Sequence, residues 1–472
     1  MVRAAALFAA LALGGTQAQS TTFAAAGDSA SATLLHVWYA GGGLWRECDD
    51  PGCNRSNMDW GVDSLTYALW LRWQTTHDPV VPQVMRELTA SAPPYPLGET
   101  WSDNPEWDAI AAVRMYQVTG DAAALAKARA AFDTVEGSTD FALGACPEIR
   151  YQQPQGRDNQ LKTLESDANA VKAALLLHET TGEQRYLDSA VRTYAAVRKW
   201  FLDPKLGLYS VYVFDDGRQC TQVPHRFFAS VNGDMIWNGL ELARLTGDDR
   251  YRADALGTGR AVATQLADAA GVFADLQAEN DVVEPLVEGM YALATTAKAS
   301  FARAWVLGNA AAALSARTSD GSFGRFFDGP APQTLVTAWQ ANGGLALEIA
   351  AAALDPTGTA SPDRWQGARR VTRSVGLGDT VTIHARAVAF FGTLGEACCE
   401  PGHARVFVDA RETTDGTGIW QNKSSSGKAI PDTVLFVWRW PRLGRHTIHF
   451  EPGVQNGKEG GPYLHLTGYA VR

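Results

Sequence analysis

The sequence predicts a mainly α-helical protein, an (α/α)6 barrel of six helical hairpins followed by a smaller β-sandwich domain. Apolar, Ala-rich helical segments alternate with segments that mix apolar and charged residues, and very short turns join each pair. Three of these turns are spelled almost alike: Thr119-Gly120-Asp121, Thr181-Gly182-Glu183 and Thr246-Gly247-Asp248. Repetition of a two-helix unit is typical of helical repeat architectures. A change of composition near residue 360 favours a second domain.

The repeated turn has a physical basis. Glycine adopts the left-handed conformation that commonly ends a helix, and the acid after it favours the positive N-terminus of the next helix. Connections this short make the two helices antiparallel neighbours. The predicted pairs are 58–75 with 79–91, 105–118 with 121–136, 167–180 with 183–202, 232–245 with 248–269, and 284–297 with 299–316, and helices at 334–353 and 28–39 close the ring.

The first helix of each pair is apolar on most faces and is predicted to lie inside, with its partner outside. The connections that return from an outer to an inner helix are long, whereas the inner-to-outer turns are short. Long structured loops concentrate function. All of them lead to the N-terminal ends of inner helices, so we expect the binding cleft at that end.

Beyond about residue 360, Gly, Pro, Thr and β-branched residues replace the Ala-rich pattern. Short runs separated by turn residues predict strands and hence a β-sandwich. The predicted strands are 371–375, 380–389, 404–410, 433–440, 446–451 and 463–470. The predicted domains are a signal peptide at 1–18, a barrel at 28–355 and a sandwich at 362–472.

The bulk composition indicates a globular, acidic protein. Hydrophobic residues make up 46% of the 472 residues and charged residues 19%; 41 Lys plus Arg against 51 Asp plus Glu give 41 − 51 = −10. An acidic chain without basic runs argues against a nucleic-acid partner. The 15 Trp suit either sugar stacking or a large core. Nothing in the sequence suggests an obligate protein partner, so we expect a monomer.

Residues 1–18 resemble a secretory signal, with a basic start, a short apolar stretch and a small-residue cleavage site. No other run is long enough to span a membrane. We therefore expect a secreted protein, extracellular or periplasmic, whose cysteines meet an oxidising compartment. Cys48 and Cys53 suit a local bridge, Cys146 and Cys220 a bridge between two long loops, and Cys398 and Cys399 are adjacent. Six cysteines allow 15 pairings, and the sequence does not choose between them.

Acidic residues recur where inner helices are predicted to begin. They are Asp59, Asp63, Asp103, Glu106, Asp167, Asp234, Glu284 and Glu288. Hydrolysis of a glycosidic bond needs two carboxyl groups, one that protonates the leaving oxygen and one that acts as nucleophile or base. The alternative is helix capping, because Asp103-Asn104-Pro105-Glu106 also fits a capping box.

Other residues near the same helix ends suit sugar binding. Trp60, Trp107 and Trp237 are candidate stacking platforms, with a core position as the alternative. Asn169 and Asn232 are candidates to hydrogen-bond sugar hydroxyls, with helix capping as the alternative. Neither metal-ligand spacing among the histidines nor a Gly-rich phosphate loop is present in the sequence, so no cofactor is expected.

The stretch from Trp101 to Trp107, followed by Ala109-Ile110-Ala111 and the turn at Thr119, resembles glycoside hydrolase family 76. That resemblance implies an (α/α)6 barrel with α-1,6-mannanase-type activity on cell-wall glycans, so the barrel at 28–355 would be the catalytic domain. The sandwich at 362–472 resembles the carbohydrate-binding modules appended to such enzymes, which implies carbohydrate binding as its role. In the family an Asp pair precedes a Trp-containing inner helix. Here the pair corresponds to Ser102 and Asp103, so only the second Asp is kept.

We therefore predict a glycoside hydrolase that cleaves a polysaccharide or cell-wall glycan. Asp103 would be the nucleophile or base, Glu106 the acid, and Asp59 the reserve candidate. The predicted substrate-binding residues are Trp60, Trp107, Asp167, Asn169, Asn232, Asp234 and Trp237. The alternatives are a polysaccharide lyase or unsaturated-uronide hydrolase on the same barrel, which the acidic candidates disfavour, and a non-catalytic glycan-binding protein.

Overall fold

The structure is a computed structural model of the whole chain. It describes residues 20–57, 60–93, 101–137, 144–152, 160–223, 226–274, 281–361, 364–395, 403–413, 419–421, 429–453 and 463–472. The predicted signal peptide, Asp59, Cys398 and Cys399 lie outside these ranges.

Twelve α-helices lie in the described part of the chain and form the barrel. They are α1 (Phe23–Thr33), α2 (Trp60–Thr76), α3 (Val80–Ser91), α4 (Asn104–Thr119), α5 (Ala122–Glu136), α6 (Leu164–Thr181), α7 (Gln184–Phe201), α8 (Ala229–Thr246), α9 (Asp249–Gln265), α10 (Glu284–Thr295), α11 (Ser300–Ala313) and α12 (Ala338–Leu354). The even-numbered helices pack side by side, and α12 packs against α2, so six inner helices form a closed ring. The predicted (α/α)6 barrel is confirmed.

The three similar turns share one hydrogen-bonding pattern. Gly120, Gly182 and Gly247 end their helices with φ of 67°, 72° and 72°. Each preceding threonine donates its Oγ1–H to the carbonyl four residues back, at 2.7 Å in all three turns. The same hydroxyl accepts the backbone N–H of the acid that follows, at 3.1–3.3 Å. The turn is therefore completed by its own side chains and reverses the chain within two residues.

The first helix begins earlier than the sequence predicts. The predicted helix covers 28–39, whereas α1 begins at Phe23 because Thr22 caps it by accepting the N–H of Ala25 at 3.2 Å. A π-helical turn over Leu34–Trp38 follows. Helix α1 packs closely on α12, where Gly27 leaves no room for a side chain beside Ala352. It is thus the outer partner of the last inner helix.

Short strands border the barrel loops, and longer ones form the C-terminal domain. The barrel strands are β1 (Thr21–Thr22), β2 (Tyr39–Gly41), β3 (Leu44–Arg46), β4 (Arg55–Ser56), β5 (Leu161–Thr163), β6 (Leu202–Asp203), β7 (Leu208–Tyr209), β8 (Tyr212–Asp215) and β9 (Cys220–Gln222). The later strands are β10 (Thr359–Ala360), β11 (Arg369–Gly376), β12 (Thr380–Leu394), β13 (His403–Val408), β14 (Arg411–Glu412), β15 (Ile419–Trp420), β16 (Ile430–Pro452) and β17 (His465–Val471).

The C-terminal domain is one hydrogen-bonded antiparallel sheet around its own core. Its strand order is β11-β17-β12-β16-β13-β14, and β15 pairs with β13. Buried and exposed residues alternate in the first half of β12, as expected for one covered face. The two strands predicted at 433–440 and 446–451 are a single strand, β16, because its pairing with β12 continues through an irregular register between them.

Two of the predicted disulfides form. Cys48 is bonded to Cys53, and Cys146 to Cys220 across 74 residues of chain. The second bridge joins the loop before α6 to the loop before α8. None of the described helices has a stretch long and apolar enough to cross a lipid bilayer.

A buried carboxylate joins the sheet to the barrel. Asp328, in the loop before α12, is 2% exposed and accepts hydrogen bonds from Trp365 at 2.7 Å, Arg364 at 3.2 Å and Arg439 at 3.1 Å. Phe326 of the same loop is part of the core of the sheet domain. The two domains therefore share both a charge cluster and a hydrophobic contact.

Replacing Asp328 with Ala should lower the free energy of unfolding by about 3–5 kcal/mol, because it leaves the buried guanidinium of Arg439 without its carboxylate. Thermal unfolding and limited proteolysis around residue 360 measure the effect. The control is Asp133→Ala, which removes a surface pair with Arg185 whose side chains are 49% and 51% exposed; it should cost less than about 1 kcal/mol. Equal stability of the two variants would contradict the assigned role of Asp328.

Candidate functional site

The long loops and the N-termini of the six inner helices lie at one end of the barrel, and Asp103 is part of that end. It is the N-cap residue of α4 and is partly exposed. Its side chain makes no capping hydrogen bond, and its backbone is in the helical region. The capping box that the sequence suggests for Asp103 and Glu106 is therefore absent from this helix start. The carboxylate of Asp103 therefore does not cap α4.

The first turns of α4 and α6 are joined directly. Ser102 and Ser166 are both fully buried, and their hydroxyl groups are hydrogen-bonded to each other. Ser102 also donates to the carbonyl oxygen of Tyr151 at 2.8 Å, and its N–H donates to the carbonyl of Gln152 at 3.1 Å. We call this contact the serine clamp. It brings Asp103, which follows Ser102, close to Glu165, which precedes Ser166.

Glu165 is a candidate that the sequence reasoning missed. It lies in the first turn of α6 and is partly exposed. Its Oε2 accepts the hydroxyl of Thr163 at 3.1 Å, and its N–H donates to Thr163 Oγ1 at 3.2 Å. Burial, followed by the negative charges of Asp103 and Asp281, raises the pKa of Glu165 well above its usual range. The shift favours the protonated form of this carboxyl group.

The surroundings of Glu165 are built by the next loops. Arg226 is 2% exposed, lies 5.5 Å from the ring of Tyr212, and partly opposes the rise in the pKa of Glu165. Asp281 is buried and accepts the N–H groups of Ala229 and Ser230 at the start of α8. Asp281 therefore supports a helix end, while its charge still acts on Glu165.

Trp60 and Trp101 lie at this end of the barrel, and neither is buried. Trp101, two residues before Asp103, is one of the few large apolar side chains that are exposed, at 40%. Trp60, the first residue of α2, is partly exposed and packs edge-on against Trp339 at 5.8 Å. An exposed indole beside a carboxylate is a suitable surface for the apolar face of a sugar ring. Trp101 is part of the family motif in the sequence but is not among the predicted substrate-binding residues.

Glu106 and Asp167 lie inside the wall between α4 and α6, where both are fully buried. Asp167 accepts from the backbone and the guanidinium of Arg150, at 3.1 and 2.8 Å, and Arg150 also pairs with Glu136. Burial raises the pKa of Asp167 to about 6 and that of Glu106 well above its usual range. Their contact with a substrate stays a prediction; in the described residues their neighbours belong to the wall.

A second charge cluster lies deeper along the inner helices. Lys172 of α6 pairs with Asp234 of α8 at 2.8 Å and with Glu288 of α10, and Arg114 of α4 pairs with Glu288 at 2.5 Å. All four side chains are at most 5% exposed. Arg114 and Lys172 hold the pKa of Glu288 below its usual value despite burial, and burial raises the pKa of nearby Glu284 to about 8. We call this group the axial cluster.

The remaining predicted binding residues have mostly internal positions. Asn232 is fully buried and bonds to the backbone of Tyr209 and Phe228, and Asn169 is 1% exposed. Trp107 is 5% exposed, while partly exposed Trp237 lies 5.7 Å from the ammonium of Lys172. Their roles in binding stay predictions. Among the described residues, Cys146, Asp215 and Cys220 have metal-ligand spacing, but the two sulfurs are bonded to each other.

No protein-family model matches the sequence, and no curated protein matches it either. Solved structures do match. The first is an inactive variant of the α-1,6-mannanase GH76A of Salegentibacter sp. HEL1_6, with two adjacent aspartates replaced by alanine, in complex with α-1,6-mannotetrose. It is 20% identical, with a TM-score of 0.61, and the match covers 71% of this chain and 100% of that chain. The barrel has the fold of the family 76 mannanases.

Two further solved structures with a similar fold have different activities. A GH76 α-mannanase of Bacteroides thetaiotaomicron is 16% identical with a TM-score of 0.57, covering 71% of this chain and 96% of that one. The cellobiose 2-epimerase of Bacillus thermoamylovorans is 12% identical with a TM-score of 0.55, covering 70% and 98%. Because the fold also occurs in an epimerase, the chemistry has to be argued from the site.

The axial cluster predicts a large stability effect. Lys172→Met should lower the free energy of unfolding by about 3–5 kcal/mol at neutral pH, because Asp234 loses its buried partner. The pKa of Glu288 is held low in the folded protein, so its pairing stabilises above the ordinary glutamate pKa and is lost as the pH falls through its folded pKa. The deficit of Lys172→Met should therefore shrink in acid.

Chemical denaturation at pH 7 and along an acid series that continues well below the ordinary glutamate pKa measures both parts of this prediction. Lys205→Met, at an exposed position after α7, is the matched control and should change stability by no more than about 0.5 kcal/mol. A Lys172→Met variant as stable as this control would contradict the axial cluster.

Proposed function

We propose that the protein is a glycoside hydrolase that cleaves an α-1,6-mannan or a related cell-wall glycan at the N-terminal ends of the inner helices. The observation that carries the proposal is the position of Asp103, a partly exposed acid at the N-terminus of an inner helix. The family resemblance at residues 101–107 and the fold of the mannanases support it. In the mannanase of Salegentibacter, the inactive variant lacks two adjacent aspartates.

Asp103 would act as the nucleophile or base of the reaction. A carboxylate at a helix N-terminus is stabilised by the helix dipole, which suits either role. Glu106, the acid suggested by the sequence, has no exposed surface, so a substrate would reach it only after a rearrangement of the wall. Trp101 would hold a neutral sugar ring beside Asp103.

Lyase activity on a uronate is the less favoured chemistry. A lyase requires a Tyr or His base and cations against the uronate carboxylate, whereas the charged groups that act on Glu165 are Asp103 and Asp281, with Arg226 as the cation. Neutral glycans therefore suit this site better than acidic ones.

We also propose that the protein acts outside the cytoplasm, as a monomer, with the sheet domain as a carbohydrate-binding unit. The two disulfides support export, because such bonds persist in oxidising compartments. Mass photometry of the secreted protein tests the monomer.

The first experiment is a glycan digest read by mass spectrometry. The panel contains α-1,6-mannan, other fungal and bacterial cell-wall glycans, cello-oligosaccharides and acidic polysaccharides. We expect shortened oligosaccharides from the mannan, and a loss of about 10²–10⁴-fold in kcat for Asp103→Asn. Unsaturated products from an acidic glycan would instead identify a lyase, and epimerised products of unchanged length an epimerase. Binding without product would identify a glycan-binding protein.

Trp101→Ala should raise KM by roughly 5–30-fold and leave kcat nearly unchanged, because a stacked ring contributes about 1–2 kcal/mol. Initial rates on the glycan identified by the digest measure both constants. Val80→Ala removes another exposed apolar side chain, 46% exposed at the start of α3 and so at the opposite end of the barrel, and should leave both constants unchanged. If the two variants had the same KM, Trp101 would not contact the sugar.

A further inference from the structure

Residue 102 cannot supply the second carboxyl group of the proposed hydrolase. In the family that the sequence resembles, two adjacent aspartates precede the inner helix, whereas this chain has Ser102 and Asp103. Ser102 is fully buried, and its hydroxyl is held by Ser166 and by the carbonyl of Tyr151. The position is committed to joining α4 and α6, so the missing group has to come from another element.

The serine clamp indicates which residue supplies the second carboxyl group. It fixes the first turn of α6 against the first turn of α4, and Glu165 is the neighbour of the clamp on α6 as Asp103 is on α4. Glu165 is partly exposed, whereas Glu106 and Asp167, the other acids of the same two helix starts, are 0% exposed. A substrate in contact with Asp103 therefore meets one further partly exposed carboxyl group in the first turns of these two helices.

We propose that Glu165 is the general acid of this enzyme and replaces the aspartate that the family has at position 102. This inference rests on the proposed glycosidase function. Thr163 is a positioning residue, because its hydroxyl holds one oxygen of Glu165 at 3.1 Å and so orients the other. Relative to the family pattern, the pair of carboxyl groups is divided between two adjacent helices.

The proton balance follows from these roles. Glu165 gives its proton to the glycosidic oxygen while the bond from that oxygen to the anomeric carbon breaks, and the bonding electrons leave with the oxygen. The anomeric carbon gains its new oxygen from water, either directly, with Asp103 accepting the proton of that water, or after Asp103 has bonded to the carbon. In the second case Glu165, now a carboxylate, takes the proton of the water. One water is consumed in either case.

The electrostatic surroundings suit an acid. The groups that act on Glu165 are Asp103 from α4, Asp281 from the loop before α10 and Arg226 from the loop before α8. Burial and the two aspartates raise the pKa of Glu165, which favours the protonated form that a general acid needs. Wild-type activity should accordingly fall as the pH rises through the pKa of Glu165.

The test compares Glu165→Gln with Asp103→Asn on two substrates. One is the glycan identified by the digest, and the other is an aryl glycoside of the same sugar, whose phenolate leaves without protonation. Glu165→Gln should lose about 10²–10⁴-fold in kcat on the glycan, far less on the aryl glycoside, and its alkaline limb should disappear. Asp103→Asn should be impaired on both substrates.

Other outcomes separate this inference from the proposed function. A wild-type protein without activity on any glycan would overturn the proposed function itself. An active wild type, with Glu165→Gln equally active and with an unchanged alkaline limb, would overturn only the role of Glu165. An equal loss on both substrates would make Glu165 a structural residue. If circular dichroism shows that Glu165→Gln does not fold, two other variants are used: Glu165→Asp, which keeps a carboxylic acid, and Thr163→Val. A larger loss of kcat on the glycan than on the aryl glycoside in either variant supports the proposal. Equal losses on the two substrates in both variants overturn it.

Discussion

The short turns that end the inner helices constrain the rest of the barrel. A turn of two or three residues can only reverse the chain, so each inner helix must be followed by an antiparallel outer helix. All inner helices then point the same way, and every longer connection returns to their N-terminal ends. Thr119, Thr181 and Thr246 each make two hydrogen bonds within their own turns. The reversal of the chain is therefore stabilised by residues of the turn itself.

The barrel contains two kinds of acidic residue, which differ in their surroundings more than in their position along the chain. Asp167, Asp234 and Glu288 are buried and neutralised by Arg or Lys, so they contribute to the assembly of neighbouring helices. Asp103 and Glu165 lie at the helix ends, where both remain partly exposed. A carboxylate paired inside the wall is costly to rearrange, whereas one at the rim is available to a ligand.

The fold was predictable because its signals are local: helix periodicity, the Gly turns and the change of texture near residue 360. Within the proposed site, only Asp103 was predicted from the sequence, because it lies in the stretch that resembles the family. Glu165 was missed because the third inner helix was predicted to begin at residue 167, while Thr163 caps it and starts it at Leu164. The buried positions of Glu106 and Asn232 depend on packing between helices distant in sequence, which no local pattern encodes.

The contacts around Asp328 limit the exchange of the barrel or the sheet for a domain from another protein. Modules that exchange freely between enzymes meet through flexible linkers and exposed surfaces. Here the barrel loop that precedes the last inner helix places Phe326 in the core of the sheet domain and shares a carboxylate with Arg439. A barrel separated from its sheet would expose an aromatic side chain and a buried acid at once. We therefore expect that a different sheet could be fused to this barrel only if it covered Phe326 and supplied a cation for Asp328.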